Sequence, residues 1–179
     1  MKRLAVASLL VLSALTSQAD PHTGVNGRSS LAPSVRILDK KNGFREATLG
    51  ADVHTFQNLV LERTDASTQT TYYTRATENL KVGSFRVTGI SYGFYKDKLC
   101  SIEVRTMGDA NCRAIHQFLL DEYGQGQRLA STKSEYWIGQ QVSLRYTEVP
   151  QGYATVMLSS KVLMDQRMAE RQRPAFGTA

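Results

Sequence analysis

Cys112 and His116 stand four residues apart, a spacing that sets two side chains on one face of a helix. Such a pair serves two chemistries. It can ligate a metal such as zinc, which needs a third and usually a fourth ligand. It can also form a nucleophile and base, in which the imidazole generates the reactive thiolate. Neither pattern is completed elsewhere in the chain. The other histidines are His22 and His54. His22 falls in a polar leader, and His54 reads as a partly buried structural residue. Cys112 lies on an apolar stripe, which predicts a packed, inert thiol. There is no G-x-S-x-G elbow, phosphate-binding glycine loop, calcium loop or H-E-x-x-H helix. Glu103, Asp109, Asp121 and Glu122 read as solvated charges or a helix cap. Paired carboxylates distant in sequence remain open, because glycosidase dyads need no local motif. The residues thus assign no catalytic, metal or cofactor-binding position.

The elements that would carry these residues read as follows. Ala110 to Tyr123 is the strongest helix, with Cys112, Ile115, Leu119 and Tyr123 on one face and Gly124 as its stop. Asp109 or Asn111 is positioned to cap it. Arg86 to Tyr95 and Leu99 to Thr106 alternate about the polar turn Lys96-Asp97-Lys98 and read as a β-hairpin. Alternation sets Cys100, Ile102 and Val104 against Ser101, Glu103 and Arg105. Ile102, Val104, Ile115 and Leu119 are therefore expected to bury one another. Residues 51–60 suggest a short helix, and Thr68 to Arg75 a strand. Glu135 to Ile138, Gln141 to Thr147 and Tyr153 to Ser159 are three further strands. The order helix, strand, hairpin, helix, three strands predicts an α+β fold: an antiparallel sheet with helices packed on one face.

Two cysteines invite a disulfide. The return of the chain from strand to helix places Cys100 and Cys112 about 13 Å apart, beyond the roughly 7 Å that a bridge permits. This favours two buried, unbridged thiols. A helix crossing the sheet steeply would allow the bridge.

The ends indicate destination. Lys2 and Arg3, the uncharged run Leu4 to Leu15, and Ser17-Gln18-Ala19 have the order of a secretory signal cleaved after Ala19. The apolar run makes a helix of roughly 18 Å, short of the ~30 Å hydrocarbon core. Residues 20–42, rich in Gly, Ser, Pro and Asn, read as a flexible leader, with Val35 to Leu38 as a possible edge strand. Residues 43–160 form the single domain. Residues 161–179 form a C-terminal tail, part helical with a thin apolar stripe. Loss of residues 1–19 lowers the formal charge from +6 to +4. That excess is too small and scattered for a nucleic-acid surface, and the mature chain has no spanning apolar run.

Four segments form a series: GFREATLG at 43–50, YYTRATENLKVG at 72–83, ISYGFYKDKLCSIEV at 90–104 and NCRAIHQFLLDEYG at 111–124, followed by the strand of Trp137. The series resembles a loose group of small exported bacterial proteins without an assigned activity. Cys100 stands where that pattern more often has an aromatic or aliphatic residue. The resemblance implies the fold order and export, and brings no catalytic residues. The expected function is a small soluble, non-enzymatic binding or interaction module of the cell envelope. Tyr72, Tyr92, Tyr95 and Tyr146 are candidates for a contact face, although some of them must lie in the core. The alternative is a small envelope hydrolase with a dispersed carboxylate site. A deep pocket with two convergent carboxylates would favour the hydrolase, and a flat aromatic sheet face the binding module.

Overall fold

Alternating side chains build the centre of the fold. The computed structural model describes residues 33–128 and 132–172; the predicted signal, residues 20–32 and residues 173–179 lie outside them. β7 (Gly89–Tyr95) and β8 (Lys98–Met107) form the expected hairpin. Lys96 and Asp97 both have positive φ at its tip, the geometry of a two-residue turn that follows strand twist. Ile90, Tyr92, Ile102 and Val104 face the core.

One inserted residue alters the expected alternation. Gly93 pairs with Ser101, but Phe94 pairs with Leu99, so Cys100 is the extra residue of a β-bulge. Leu99 joins the core instead of Cys100. The Cys100 thiol turns with Ser101 to the opposite side, beside Thr70 and Arg167. The predicted placement of Cys100 with Ile102 and Val104 is thus corrected.

The sheet has eight strands in the order β3-β4-β7-β8-β12-β11-β10-β9, all neighbours antiparallel. β3 is Leu59–Asp65 and β4 is Thr70–Arg75. β9 (Gln127–Arg128), β10 (Ser134–Ile138), β11 (Val142–Val149) and β12 (Tyr153–Ser160) form the second half. Two small hairpins stand apart from the sheet. β1 (Gly43–Phe44) pairs with β2 (Ala47–Thr48), and β5 (Lys81–Val82) with β6 (Phe85–Arg86).

α2 (Asp109–Tyr123) buries Cys112, Ile115, Leu119 and Tyr123. Ile102, Val104, Ile115 and Leu119 belong to one buried cluster, as expected; burying each such side chain contributes about 1.5–3 kcal/mol. The helix begins after Gly108 without a side-chain cap. Asn111 instead donates to the Met107 carbonyl, which corrects the expected capping. Gly124 closes the helix with positive φ and its N–H on Leu120 O.

Three further sequence expectations change. First, the leader ends earlier than residue 42. Pro33–Lys41 is a helix, α1, and not an edge strand. Leu38 is 0% exposed, anchoring α1 in the core. Second, residues 51–60 do not form one helix. Asp52 caps a single 3₁₀ turn, Val53–Thr55. Asn58 then takes positive φ, and the chain enters β3. Third, the tail carries a full helix, α3 (Lys161–Gln172), whose Leu163, Met164, Arg167 and Glu170 are half-buried.

The fold is α+β, an antiparallel sheet with helices packed against it. α1 and α2 touch each other and cover one face. α3 reaches the other face: Arg167 donates to Thr70 Oγ1 at 3.0 Å, and the Tyr95 hydroxyl donates to Glu170. Thr70 and Tyr95 are register partners, and Tyr95 points away from the Tyr92–Phe94 core side. No described helix is long and apolar enough to cross a membrane.

Candidate functional site

Arg45 crosses a broad concavity. It sits with positive φ at the turn between β1 and β2. Its Nη1 donates to Glu78 Oε1 at 2.9 Å and to the Asn79 carbonyl at 2.6 Å, and its Nη2 donates to the Lys81 carbonyl at 2.7 Å. Glu78 also accepts the Tyr92 hydroxyl at 2.7 Å. Burial, then the bond to Glu78, pushes the Tyr92 phenol well above its ordinary pKa. A cleft of about 860 Å³ lies around this lacing, between the β1–β2 hairpin, residues 55–58, residues 75–83 and the Phe118 side of α2.

All of its charges but that of Lys81 are matched in pairs among the described residues. Arg75 binds the Glu46 carboxylate while its guanidinium lies over Phe56 and Tyr92, 5.1 and 4.9 Å from the ring centroids. The N–H of Glu46 itself and the Arg75 guanidinium hold the Glu46 carboxyl below its ordinary pKa. Lys41 is paired with Glu122. Glu46 and Glu78 are the carboxylates lining the cleft, and each is bound to an arginine. A general acid at neutral pH needs a carboxyl whose pKa is raised; Glu46 is shifted the other way.

Other groups stand uncommitted. The side chains of Gln57, Asn58, Thr77 and Lys81 line the cleft and make no hydrogen bond to any described residue. Phe118 is 40% exposed. Beneath Phe44, Val82 and Phe118 lies an apolar hollow of only about 40 Å³.

A second pocket, about 280 Å³, surrounds His116. Glu135 is 2% exposed at its centre. It accepts Gly126 N–H at 2.7 Å and Arg128 Nε at 3.2 Å, and His116 Nε2 lies 2.8 Å from it. The His116 ring stacks on Tyr146 at 4.7 Å. Burial alone would raise the Glu135 pKa, but the bonds from His116, Gly126 and Arg128 outweigh it and hold the carboxyl below its ordinary value.

Cys112 and His116 therefore do not work together. The thiol donates to Gly152 O at 3.4 Å, and burial pushes its pKa up. His116 is committed to Glu135. Among the described residues, no three His, Cys, Asp or Glu side chains could hold a metal ion. Cys100 and Cys112 are both buried and unbridged. His22 lies outside the described residues. His54 is exposed, not partly buried, because its one-turn helix lies at the surface. Glu103 pairs with Arg63 and Arg105, Glu122 with Lys41, and Asp121 accepts from Gln117.

The expected tyrosine face is not formed. Tyr92 and Tyr146 are in the core, Tyr95 is buried beneath α3, and Tyr72 lies under the Arg63 guanidinium at 3.7 Å. Around it, Glu62, Arg63, Glu103 and Arg105 form a lattice of ion pairs.

No family model, curated protein or solved structure matches the chain. Assignment of the site therefore rests on its geometry. Residues 43–46 and 75–83, far apart in the chain, converge on the cleft. They belong to the GFREATLG and YYTRATENLKVG segments, which carry the resemblance noted in the sequence. Their clustering of Arg, Glu and Asn was the available signal. The pairing of Arg45 with Glu78 was not legible without the fold.

Proposed function

We propose that the chain is a small exported binding module, not an enzyme, and that the Arg45 cleft is its ligand seat. The observation that carries this reading is the pairwise neutralisation of the cleft carboxylates by Arg45 and Arg75 beside uncommitted amide and hydroxyl side chains. Such a surface can orient a ligand through hydrogen bonds, and both of its carboxylates are tied to arginines. A volume of about 860 Å³ falls within the roughly 300–1,000 Å³ of small-molecule sites. Export rests on the Lys2-Arg3, Leu4 to Leu15 and Ser17-Gln18-Ala19 series, in keeping with the small exported proteins that the four motif segments resemble.

The test is a nuclear magnetic resonance titration of labelled residues 20–179 with the small-molecule fraction of a bacterial envelope extract. Resonances of Gln57, Asn58, Thr77 and Phe118 should shift, and the extract components should remain chemically unchanged. Turnover of a component that is lost on Glu78→Gln would instead establish the hydrolase.

A further inference from the structure

We infer that the cleft takes a neutral, hydroxyl-rich ligand, a short oligosaccharide. This rests on the cleft being a ligand seat and adds the class of molecule.

The charge pattern excludes strongly ionic ligands. Arg45 is held by Glu78, Arg75 by Glu46 and Lys41 by Glu122. A polyanion binds by meeting clustered, unpaired cations and releasing counterions. Here it would have to break internal pairs first, and among the described residues Lys81 alone of the lining cations has no such pair. A polycation would need free carboxylates, and both in the lining are occupied. A long acyl chain needs an apolar tunnel. The apolar hollow of about 40 Å³ has room for a group little larger than a water molecule.

The uncommitted groups match hydroxyls. Gln57 and Asn58 each offer an amide donor and an amide acceptor, and Thr77 offers both functions in one hydroxyl. A sugar ring presents neighbouring hydroxyls that donate and accept in the same way. Phe118 supplies the other half of the match. It stands 40% exposed at the cleft, steadied by an edge contact to Phe85 at 6.0 Å. Its ring can cover the C–H face of a sugar, while the amides meet the hydroxyl edge.

The experiment titrates labelled residues 20–179 with chitotriose, cellotriose and maltotriose. An oligogalacturonate serves as the anionic probe and decanoate as the acyl probe. At least one neutral trisaccharide should shift Asn58, Thr77 and Phe118 saturably. Its affinity should change by less than about twofold between low and high salt, because no counterions are released. Phe118→Ala should weaken binding about tenfold, the scale of an aromatic contact. Thr77→Val, which keeps the side-chain shape, should also weaken it while leaving the thermal unfolding midpoint in place. Salt-sensitive binding of oligogalacturonate alone, or of decanoate alone, at these resonances overturns the ligand class and leaves the cleft as a binding seat. Silence of the cleft toward every probe and toward the envelope fraction overturns both.

Discussion

Oδ1 of Asp39 accepts the backbone N–H of Val142 at 3.0 Å, joining α1 to the β10–β11 turn across 103 positions of chain. The same carboxylate accepts Gln141 N–H at 2.9 Å and Gln140 N–H at 2.7 Å. A Cβ on Gly139 would lie 2.2 Å from Oδ1. Gly139→Ala should therefore displace the carboxylate. Asp39→Ala should leave three amides without their partner. Each change is expected to cost about 1–3 kcal/mol in urea unfolding. A cost near zero for both would show that α1 docks without this contact.

The acid limb of stability follows from two carboxylates. Burial opposes ionisation of Asp39, yet the three backbone bonds and Lys161 hold its pKa below the ordinary value; Glu135 is lowered in the same sense. Both bind protons less readily folded than unfolded. Their contribution is full above the ordinary carboxyl pKa of about 4 and is lost as pH falls through the depressed folded values. Asp39→Asn with Glu135→Gln should lower stability at neutral pH and flatten its decline in acid. Denaturant midpoints measured across the acid range test the slope. An unchanged slope would place the titrating groups elsewhere.

The two thiols should be silent in the folded protein. Cys100 lies on the α3 side of the sheet and Cys112 on the α2 side. Burial raises both pKa values, which disfavours thiolate. A chromogenic disulfide reagent should react slowly before denaturation and with both cysteines afterwards, in the absence of reductant. Absence of free thiol in the denatured, unreduced protein would show a bridge and require a different path between β8 and α2.

Arg45→Lys tests the lacing of the cleft. An ammonium cannot reproduce the fork that meets Glu78, Asn79 O and Lys81 O together. Residues 76–83 should exchange amide hydrogen faster, and trypsin should cut after Lys81 sooner. The unfolding midpoint should shift little, because Leu38, Ile102 and Leu119 of the core are untouched. Unaltered exchange would mean that the β5–β6 hairpin holds its own position.

Much of this architecture could be read from periodicity. The β7–β8 hairpin, α2 and β10 to β12 each combine a clear alternation or helical stripe with turn residues. α1 escaped because its burial depends on Leu38 amid Pro, Ser and Lys. β3 escaped because it is an edge strand whose side chains are nearly all exposed, so no buried face imposes alternation. Cys100 departs from the alternation because it is itself the extra residue of the bulge, which hands its place in the core to Leu99. The site was less legible still. Arg45 and Glu78 are 33 positions apart, and His116 and Glu135 are 19; neither spacing belongs to a helix or a strand. What brings each pair together is the packing of separate elements.

The strand order has a consequence for how the chain folds. β3, β4, β7 and β8 form one meander, and β9, β10, β11 and β12 another. The halves join along a single seam, where β12 pairs with β8 from Tyr153↔Met107 to Ser159↔Ser101. Contacts within each meander close short loops, whereas the seam must close across α2 and most of the second meander, at a greater entropic cost. Seam formation is then expected to set the refolding rate. Val104 and Val156 face each other across it, so truncating either should slow refolding. Asp39→Ala, which loosens a contact away from the seam, should act mainly by hastening unfolding.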